Sequence, residues 1–252
     1  TFRNLLREAI FADHGSMITA SHMLIDMGTS EGDAFLLVDR SRLLLASAVV
    51  RNTGLRGVVI DIFSSEAAIS DSLFENGLDE AILLFRNAAE NNRSFVSLTN
   101  SIVRNFAGEG ILLFDGAEVR IATSTINNVG DAAIGVYDST VEISGSVIQI
   151  GVSNAIELFD SQVLPRASTL TIKETIIEDF DGQGILSFDS RVQADRIRLL
   201  GNAGGIKTYT GRRPSDEEPF TIAHSAIVGN GIGISNNSSF INNGVFSVTP
   251  IV

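Results

Sequence analysis

The stretch that decides the fold is Gly110-Ile111-Leu112-Leu113-Phe114-Asp115, because close copies of it recur along the chain. The closest copies are Ala133-Ile134-Gly135-Val136-Tyr137-Asp138, Ala155-Ile156-Glu157-Leu158-Phe159-Asp160 and Gly184-Ile185-Leu186-Ser187-Phe188-Asp189. Weaker copies begin at Ala9, Ala34, Gly57, Ala81, Gly205 and Gly231. The copies are separated by a unit of about 22 residues with a few insertions, and a fixed period of this length indicates a solenoid.

Apolar residues within one unit recur at every second position, which is the period of a β-strand. Val141-Glu142-Ile143 and Ser146-Val147-Ile148 show this on the two segments that follow one copy. Each unit therefore holds three short strands, and stacked units bury each other's inward residues. We predict an all-β fold, a single-stranded parallel β-helix (solenoid) of about nine coils. Leucine-rich repeats need a helical return, and β-propellers need a repeat nearly twice as long.

The composition excludes several classes of function. The chain has 252 residues, a net charge of −12 and no cysteine. An acidic surface repels nucleic acids and anionic membranes, so neither is an expected partner. Without cysteine there is no disulfide, no zinc–thiolate site and no thiol nucleophile. No run approaches the ~18 apolar residues of a membrane span.

The pattern Gly-Ile-x-Leu-x-x-Ser-x-x-Val-x-Ile-x-x-Ser-x-Ile resembles the β-helix repeats of the carbohydrate-binding and sugar-hydrolase superfamily, which includes pectin-lyase-like and NosD-like proteins. The resemblance implies a right-handed helix in a secreted, cell-surface or periplasmic protein. That superfamily contains polysaccharide lyases, glycosidases, epimerases, adhesins and noncatalytic surface proteins, so it implies little about function. The lyase, polygalacturonase and epimerase signatures of the superfamily are missing from this chain.

Residues 1–252 are expected to form one β-helix domain. The segment from Phe2 to Ile10 aligns without a gap to the segment from Val103 to Ile111, so the chain is expected to start inside a coil of a longer protein. Three insertions, at residues 86–94, 162–168 and 210–219, follow equivalent positions and are expected to leave one edge as long loops. Such loops often mark the binding side of a solenoid, and the alternative is that they are tolerated surface insertions.

One outward row on the first strand of each coil is mostly apolar. Its residues are Leu36, Val59, Leu83, Leu112, Gly135, Glu157, Leu186 and Lys207. An exposed apolar stripe is normally covered, either by further chain or by a partner. Leu83, Leu112 and Leu186 are therefore candidates for a homo-oligomer interface.

In most coils an aromatic residue lies two positions after the residue of this apolar row. The residues are Phe85, Phe114, Tyr137, Phe159, Phe188 and Tyr209. In-line aromatic stacks are usual inside solenoids or at their corners. The alternative is a sugar-binding surface, in which Phe114, Tyr137 and Phe159 contact the ligand.

The next residue of the repeat is often aspartate. Asp115, Asp138, Asp160 and Asp189 occupy this position, and Ser or Gly usually follows. Aspartate in such a dipeptide commonly belongs to a turn. Two alternatives remain open: a calcium site at Asp115 and Asp138, or acid–base chemistry on a glycan by any of the four.

The first two long loops flank the coils of Asp115 and Asp138, and the groove between them is on the order of 14 Å wide at the usual strand spacing. Arg86, Arg93 and Arg166 belong to the loop walls and are expected to contact carboxylates of an acidic glycan.

Two functions follow. The first is a noncatalytic segment of an extracellular or cell-envelope protein that serves as a structural stalk, an adhesin or a glycan-binding surface, with no required cofactor. The second is a polysaccharide lyase, glycoside hydrolase or epimerase that uses the carboxylates of the groove.

Overall fold

The chain forms three parallel sheets that wind around one core. The computed structural model describes residues 1–3, 8–28, 31–86, 92–160, 167–210, 220–238 and 247–249. Within these residues each sheet has ten strands, and the chain visits sheets 1, 2 and 3 in turn. Nine complete coils are flanked by one strand before them and two after them. The predicted solenoid of about nine coils with three strands each is confirmed.

The strands are short and regular. Sheet 1 contains β2 (Ile10–Ala12), β5 (Phe35–Leu37), β8 (Ile60–Phe63), β11 (Ile82–Phe85), β14 (Ile111–Phe114), β17 (Ile134–Tyr137), β20 (Ile156–Phe159), β23 (Gln183–Phe188), β26 (Gly204–Thr210) and β29 (Ile232–Ser238). Sheet 2 contains β3 (Met17–Ser21), β6 (Arg42–Ala46), β9 (Glu66–Ser70), β12 (Phe95–Thr99), β15 (Glu118–Ala122), β18 (Thr140–Ser144), β21 (Thr169–Lys173), β24 (Arg191–Asp195), β27 (Thr221–Ala223) and β30 (Ser247–Thr249). Sheet 3 contains β1 (Phe2–Arg3), β4 (Leu24–Asp26), β7 (Val49–Arg51), β10 (Leu73–Gly77), β13 (Ile102–Phe106), β16 (Thr125–Val129), β19 (Val147–Gly151), β22 (Ile176–Phe180), β25 (Arg198–Leu200) and β28 (Ala226–Val228).

The core is a column of aliphatic side chains stacked on their equivalents in the next coil. Ile111, Ile134 and Ile156 pair in register in sheet 1, and all three are fully buried. Branched side chains suit this arrangement because their restricted rotamers pack well on a pleated surface. Each such burial contributes about 1.5–3 kcal/mol. The core runs without a break from Ala12 to Ile222.

Buried serines close the corner between sheets 2 and 3. The Oγ of Ser101 accepts a hydrogen bond from the Ser72 backbone N–H (3.1 Å) and donates to the Thr99 carbonyl (2.8 Å). Ser124 repeats both contacts in the next coil, with the Ser101 N–H (3.1 Å) and the Ala122 carbonyl (2.8 Å). A buried hydroxyl destabilises a fold unless it is hydrogen-bonded. The serine that recurs before the third strand of each coil therefore supplies the hydrogen bonds that this corner needs.

One repeat copy starts two residues later than the sequence predicts. Ile60 pairs with Phe35, so Val59 rather than Gly57 occupies the first position of the copy. The preceding corner is longer because the Gly57 N–H donates to the Gly54 carbonyl (3.2 Å) in an extra turn. Val59 is consequently buried, and its prediction as an outward residue is wrong.

The last copy has the same two-residue shift. Ile234 pairs with Ile206, so Gly233 takes the place predicted for Gly231. Because the shift is by two residues, the inward and outward residues within each strand still alternate as predicted. Val59 is buried because it lies in the corner before its strand. In the earlier coil the shift brings Asp61 into the outward row, where it pairs with the position of Leu83.

The outer rows of sheets 2 and 3 are mostly polar, and several of their charges are paired between coils. Arg120 and Glu142 form an ion pair on sheet 2 (3.0 Å). Arg104 and Glu75 form another on sheet 3 (2.6 Å). Each pair of opposite charges on adjacent strands stabilises the fold by ~0.2–1 kcal/mol. These two faces are ordinary solvated surfaces.

A ladder of asparagines lies at the end of the sheet 3 strands. The Nδ2 of Asn105 donates to Asn76 Oδ1 (3.0 Å), and the Nδ2 of Asn128 donates to Asn105 Oδ1 (2.8 Å). All three have left-handed backbone, with φ of 62°, 60° and 54° along the chain. The next coil places Ile150 at this position, with φ of 58°. A β-branched residue is strained there.

We predict that Ile150→Asn stabilises the protein by about 1 kcal/mol, because it removes this strain and extends the ladder. Ile150 is 47% exposed, so little buried apolar contact is lost. For a domain of this size the melting temperature should rise by ~2–4 °C. Ile150→Gly is the control, since it relieves the strain without adding an amide. A melting temperature no higher than that of the parent in both variants would contradict the prediction.

Candidate functional site

Sheet 1 carries a continuous stack of aromatic rings on its outer face. The stack consists of Phe63, Phe85, Phe114, Tyr137, Phe159, Phe188 and Tyr209. Neighbouring ring centroids are 4.4–5.2 Å apart, and the ring planes are within 19° of parallel. Six of the seven positions follow from the repeat, and Phe63 joins them through the shifted register.

The rings are neither core residues nor fully exposed. Phe63, at the start of the stack, is 40% exposed, and the other rings are partly buried. Carbon atoms in contact are about 3.5–4.0 Å apart, so centroids at a greater separation indicate an offset stack. An offset stack presents ring edges and strips of ring face to solvent. The result is a ridged apolar surface along the solenoid axis.

The predicted acidic row occupies the corner between sheets 1 and 2. Asp115, Asp138 and Asp189 have left-handed backbone there, with φ of 60°, 50° and 47°. Ser64 occupies the same corner one coil before Arg86 and has φ of 49°. Aspartate tolerates this conformation better than most residues. The turn interpretation therefore accounts for the recurrence of aspartate without a ligand.

The corner aspartates differ in their access to solvent. Asp138 is only 4% exposed, Asp160 and Asp189 are partly buried, and Asp115 is exposed. Their backbone N–H groups continue the hydrogen bonding between coils: that of Asp138 donates to the Phe159 carbonyl (3.1 Å). The four aspartates lie in one row, one per coil, as predicted. Their roles in catalysis and in calcium binding stay predictions.

A different group of side chains is close enough to share a metal ion. Within the described residues, ligand atoms of Asp13, His14 and Asp39 lie within 4.8 Å of one another. These residues already have partners in the protein, since Asp13 contacts His14 (2.7 Å) and Asp39 accepts a hydrogen bond from Arg40 Nε (3.3 Å). The group lies at the same corner as the acidic row, in the first coils.

The arginines of the predicted groove wall are only partly described. Arg93 forms an ion pair with Glu118 and lies over the Phe95 ring, 4.0 Å from its centroid. Both partners belong to sheet 2, so Arg93 faces away from the aromatic stack. The Nε of Arg86 donates to the Asn92 carbonyl (3.0 Å). Arg166 and most of the three long loops lie outside the described residues.

The predicted interface leucines differ in burial. Leu83 and Leu186 are partly buried on the outer face of sheet 1, but Leu112 is only 7% exposed. Leu112 leans over Gly135 in the next coil, where an added Cβ would lie 2.8 Å from Leu112 Cδ1. Leu112 therefore offers little surface to a partner. The homo-oligomer interface stays a prediction that depends on Leu83 and Leu186.

A group of carboxylates at the start of the sheet 1 strands was not predicted from the sequence. We call it the acidic edge, and it comprises Glu8, Asp33, Asp61, Asp79, Glu80, Glu109, Asp131 and Glu157. Asp61 and Glu157 lie in the outward row of sheet 1, and the others lie in the corners that precede its strands. Among the described residues, none of these carboxylates forms an ion pair.

Asp61 and Asp33 form the most perturbed part of the acidic edge. Burial and the neighbouring Asp33 raise the pKa of Asp61 to about 7, against a weaker opposing effect of the Ile62 N–H. Among the described residues nothing donates a hydrogen bond to the buried Oδ1 of Asp61. Burial also raises the pKa of Asp33 to about 6, although its Oδ1 accepts a hydrogen bond from the Val58 N–H (2.9 Å). Both carboxyls therefore hold a proton more tightly than a solvated aspartate does.

The acidic edge extends to the middle of the aromatic stack. Burial and the nearby Asp79 raise the pKa of Glu80 to about 7. Burial raises the pKa of Glu109, and Asp131, Glu157 and Asp79 add to this effect. Tyr137 responds to the same charges: burial raises the pKa of its hydroxyl, and Glu157, Glu109 and Asp131 raise it further. The carboxylates and the ring of Tyr137 thus belong to one surface.

The sequence contained a signal for part of this group. Acidic residues directly precede several repeat copies, as in Glu8-Ala9-Ile10, Asp33-Ala34-Phe35, Glu80-Ala81-Ile82 and Glu109-Gly110-Ile111. Asp61 and Glu157 occupy a different position of the repeat. Their proximity to the others depends on the corner geometry.

We predict that Asp61→Asn stabilises the protein above pH 7. The raised pKa means that the folded state binds more protons than the unfolded state between about pH 4 and pH 7, so stability falls as the pH rises through this window. The full shift corresponds to about 4 kcal/mol, and partial solvent access reduces the expected gain to roughly 2 kcal/mol. Urea unfolding of the parent and the variant at pH 4 and pH 8 measures this gain in the free energy of unfolding. The exposed Asp181→Asn serves as control, and parallel pH profiles of Asp61→Asn and the parent would refute the prediction.

Three solved structures are similar in topology, at low sequence identity. The catalytic domain of a GH87 α-1,3-glucanase in complex with nigerose is 12% identical, with a TM-score of 0.42, and the match covers 94% of this chain and 58% of that one. The periplasmic alginate epimerase AlgG is 11% identical, with a TM-score of 0.36 and coverage of 95% and 79%. PfbA, a surface adhesin of Streptococcus pneumoniae, is 11% identical, with a TM-score of 0.31 and coverage of 90% and 74%. The chain thus spans 58% of the length of the glucanase domain.

Sequence comparison identifies the family. No curated protein matches the chain significantly. Among the described residues there is no helix with the length and apolar character that a membrane crossing requires. The family described as "Right handed beta helix region" matches residues 89–246, which is more than half of the chain. The protein therefore belongs to the right-handed β-helix family.

Proposed function

We propose that this β-helix binds a glycan without catalysis, as a surface or stalk segment of an extracellular or cell-envelope protein. The observation that supports this proposal is the aromatic stack on the outside of sheet 1. Its rings continue over seven successive coils, so a linear glycan can lie along it and contact one ring after another. Pyranose C–H groups pack favourably against aromatic surface. An adhesin that recognises cell-surface glycans would use the surface in the same way.

The polar partners that a glycan needs are also available beside the stack. Tyr137 contributes a hydroxyl in the middle of the stack, and Glu109, Asp131 and Glu157 lie close enough to influence its pKa. Sugar hydroxyls donate well to carboxylates. An apolar surface with a few convergent polar groups is the usual composition of a ligand site.

A polysaccharide-active enzyme is the second candidate, and Asp61 is the observation that favours it. A carboxyl with a pKa of about 7 is able to donate a proton near neutral pH. Asp33 and Asp61 would then act in place of the four corner aspartates predicted from the sequence. Release of reducing ends from a bound glycan, abolished by Asp61→Asn, would support this function over a noncatalytic one.

The test of the main proposal is a glycan-array screen of the protein and of a variant with Phe114→Leu and Tyr137→Leu. We expect binding to weaken about 10-fold or more, because leucine keeps apolar bulk but removes the two aromatic rings. Phe95→Leu on the outer face of sheet 2 is the matched control and should bind as the parent does. Melting curves of all variants verify that they are folded. Equal binding by the parent and the double variant would contradict the proposal.

The same screen tests the predicted calcium site. It is repeated with calcium, with a chelator, and with Asp115→Asn and Asp138→Asn combined. Asparagine tolerates left-handed backbone, so these changes should leave the corners intact. Binding along the rings predicts equal affinity under all these conditions. Loss of binding with the chelator or in the aspartate variant would place the ligand at the corner between sheets 1 and 2.

A further inference from the structure

We propose that the outer face of sheet 1 selects glycans that carry amino groups over glycans that carry carboxylates. The inference rests on the proposed glycan-binding function and names the class of ligand. It follows from the charges that border the aromatic stack. It also reverses the expectation that loop arginines recruit an acidic glycan.

The acidic edge follows one side of the stack over several coils. Asp61 shares the outer face of β8 with Phe63, and Glu157 shares the outer face of β20 with Phe159, since in each strand the two residues are two positions apart. Between these coils, Glu80 and Glu109 lie two residues before the first residues of β11 and β14. A glycan that lies on the rings between Phe63 and Phe159 therefore has carboxylates along one flank.

In the described part of the chain these carboxylates form no ion pair, in contrast to several of those on the other two faces. Glu142 is paired with Arg120 on sheet 2, and Glu75 is paired with Arg104 on sheet 3. Among the described residues no such ion pair involves the acidic edge. Unpaired carboxylates in a partly buried position attract a cationic group and repel an anionic one.

Among the described residues, Arg56 is the one basic residue in the corners of the acidic edge, where it is exposed and forms no ion pair with the carboxylates. The other basic groups near this face lie away from the acidic edge. Lys207 lies over the Tyr209 ring, 5.0 Å from its centroid, at the far end of the stack. Arg86 follows Phe85 at the corner to sheet 2, which is the opposite side of the stack. Arg93 is held by Glu118 and Phe95 on sheet 2. The segment from Phe63 to Phe159 is thus bordered on one side by an excess of negative charge.

The crowding of the carboxylates amplifies the discrimination. Asp79, Asp131 and Glu157 already raise the pKa of Glu109, so each negative charge is destabilised by the others. A carboxylate on the ligand would add to this repulsion. A protonated amine would relieve it and form charge-assisted hydrogen bonds.

The test compares three hexasaccharides with the same β-1,4-linked glucose backbone: cellohexaose, the glucosamine hexamer and the glucuronate hexamer. Calorimetry near neutral pH and low ionic strength gives a Kd for each. We expect the glucosamine hexamer to bind at least 10-fold more tightly than cellohexaose, and the glucuronate hexamer to bind more weakly than cellohexaose. The preference should shrink as salt is added, because salt screens charges. Equal affinity for the glucosamine hexamer and cellohexaose would overturn this inference and leave the proposed function standing, whereas no binding of any hexamer would count against both.

A variant with Glu109→Gln and Glu157→Gln locates the preference. Glutamine keeps the length of the side chain and an acceptor for the amide of Asn154, which donates to Glu157 Oε1 in the parent. We expect the ratio of the cellohexaose Kd to the glucosamine-hexamer Kd to fall at least 5-fold. Glu142→Gln on sheet 2 is the matched control and should leave this ratio unchanged. An unchanged ratio in the double variant would show that amino groups are recognised elsewhere and would overturn the assignment.

Discussion

Hydrogen bonds between successive coils hold each residue directly over its equivalent in the next coil. The spacing of parallel strands, about 4.8 Å, is therefore also the spacing between side chains of the same row. In the interior this brings isoleucine onto isoleucine, as for Ile111, Ile134 and Ile156. Every inward residue has an equivalent neighbour in the coil above and in the coil below. A repeated sequence is therefore sufficient to build the core. The fold is stable when each row consists of side chains that pack well on their own kind.

On the surface the same constraint favours some residue types and penalises others. Aromatic rings stack, and asparagine side chains hydrogen-bond in series, as Asn76, Asn105 and Asn128 do. Like charges repel, and on sheets 2 and 3 opposite charges are paired between neighbouring coils, as Arg104 is with Glu75 and Arg120 with Glu142. The acidic edge of sheet 1 departs from this rule. Departures of this kind are more often maintained by function than by stability.

Most of the fold was predictable because a repeated sequence imposes its pattern on every coil. Two copies were placed two residues too early because glycine, which marks the start of strong copies, also occurs two residues before the true starts, at Gly57 and Gly231. At Gly57 the glycine ends an extra turn. That error hid Phe63 and Asp61, which belong to the candidate site. The acidic edge was missed for a different reason. Glu109 and Glu157 occupy different repeat positions, and only the corner between sheets 3 and 1 brings their charges together.

The electrostatic coupling within the acidic edge determines how this face responds to its surroundings. Each carboxyl that loses a proton raises the cost of the next ionisation, as the influence of Asp79, Asp131 and Glu157 on Glu109 illustrates. Coupled groups of this kind titrate as a set and over a broad range. The face therefore behaves as a proton buffer rather than as a switch. In an environment whose acidity varies, its negative charge would change gradually, and so would its attraction for cations.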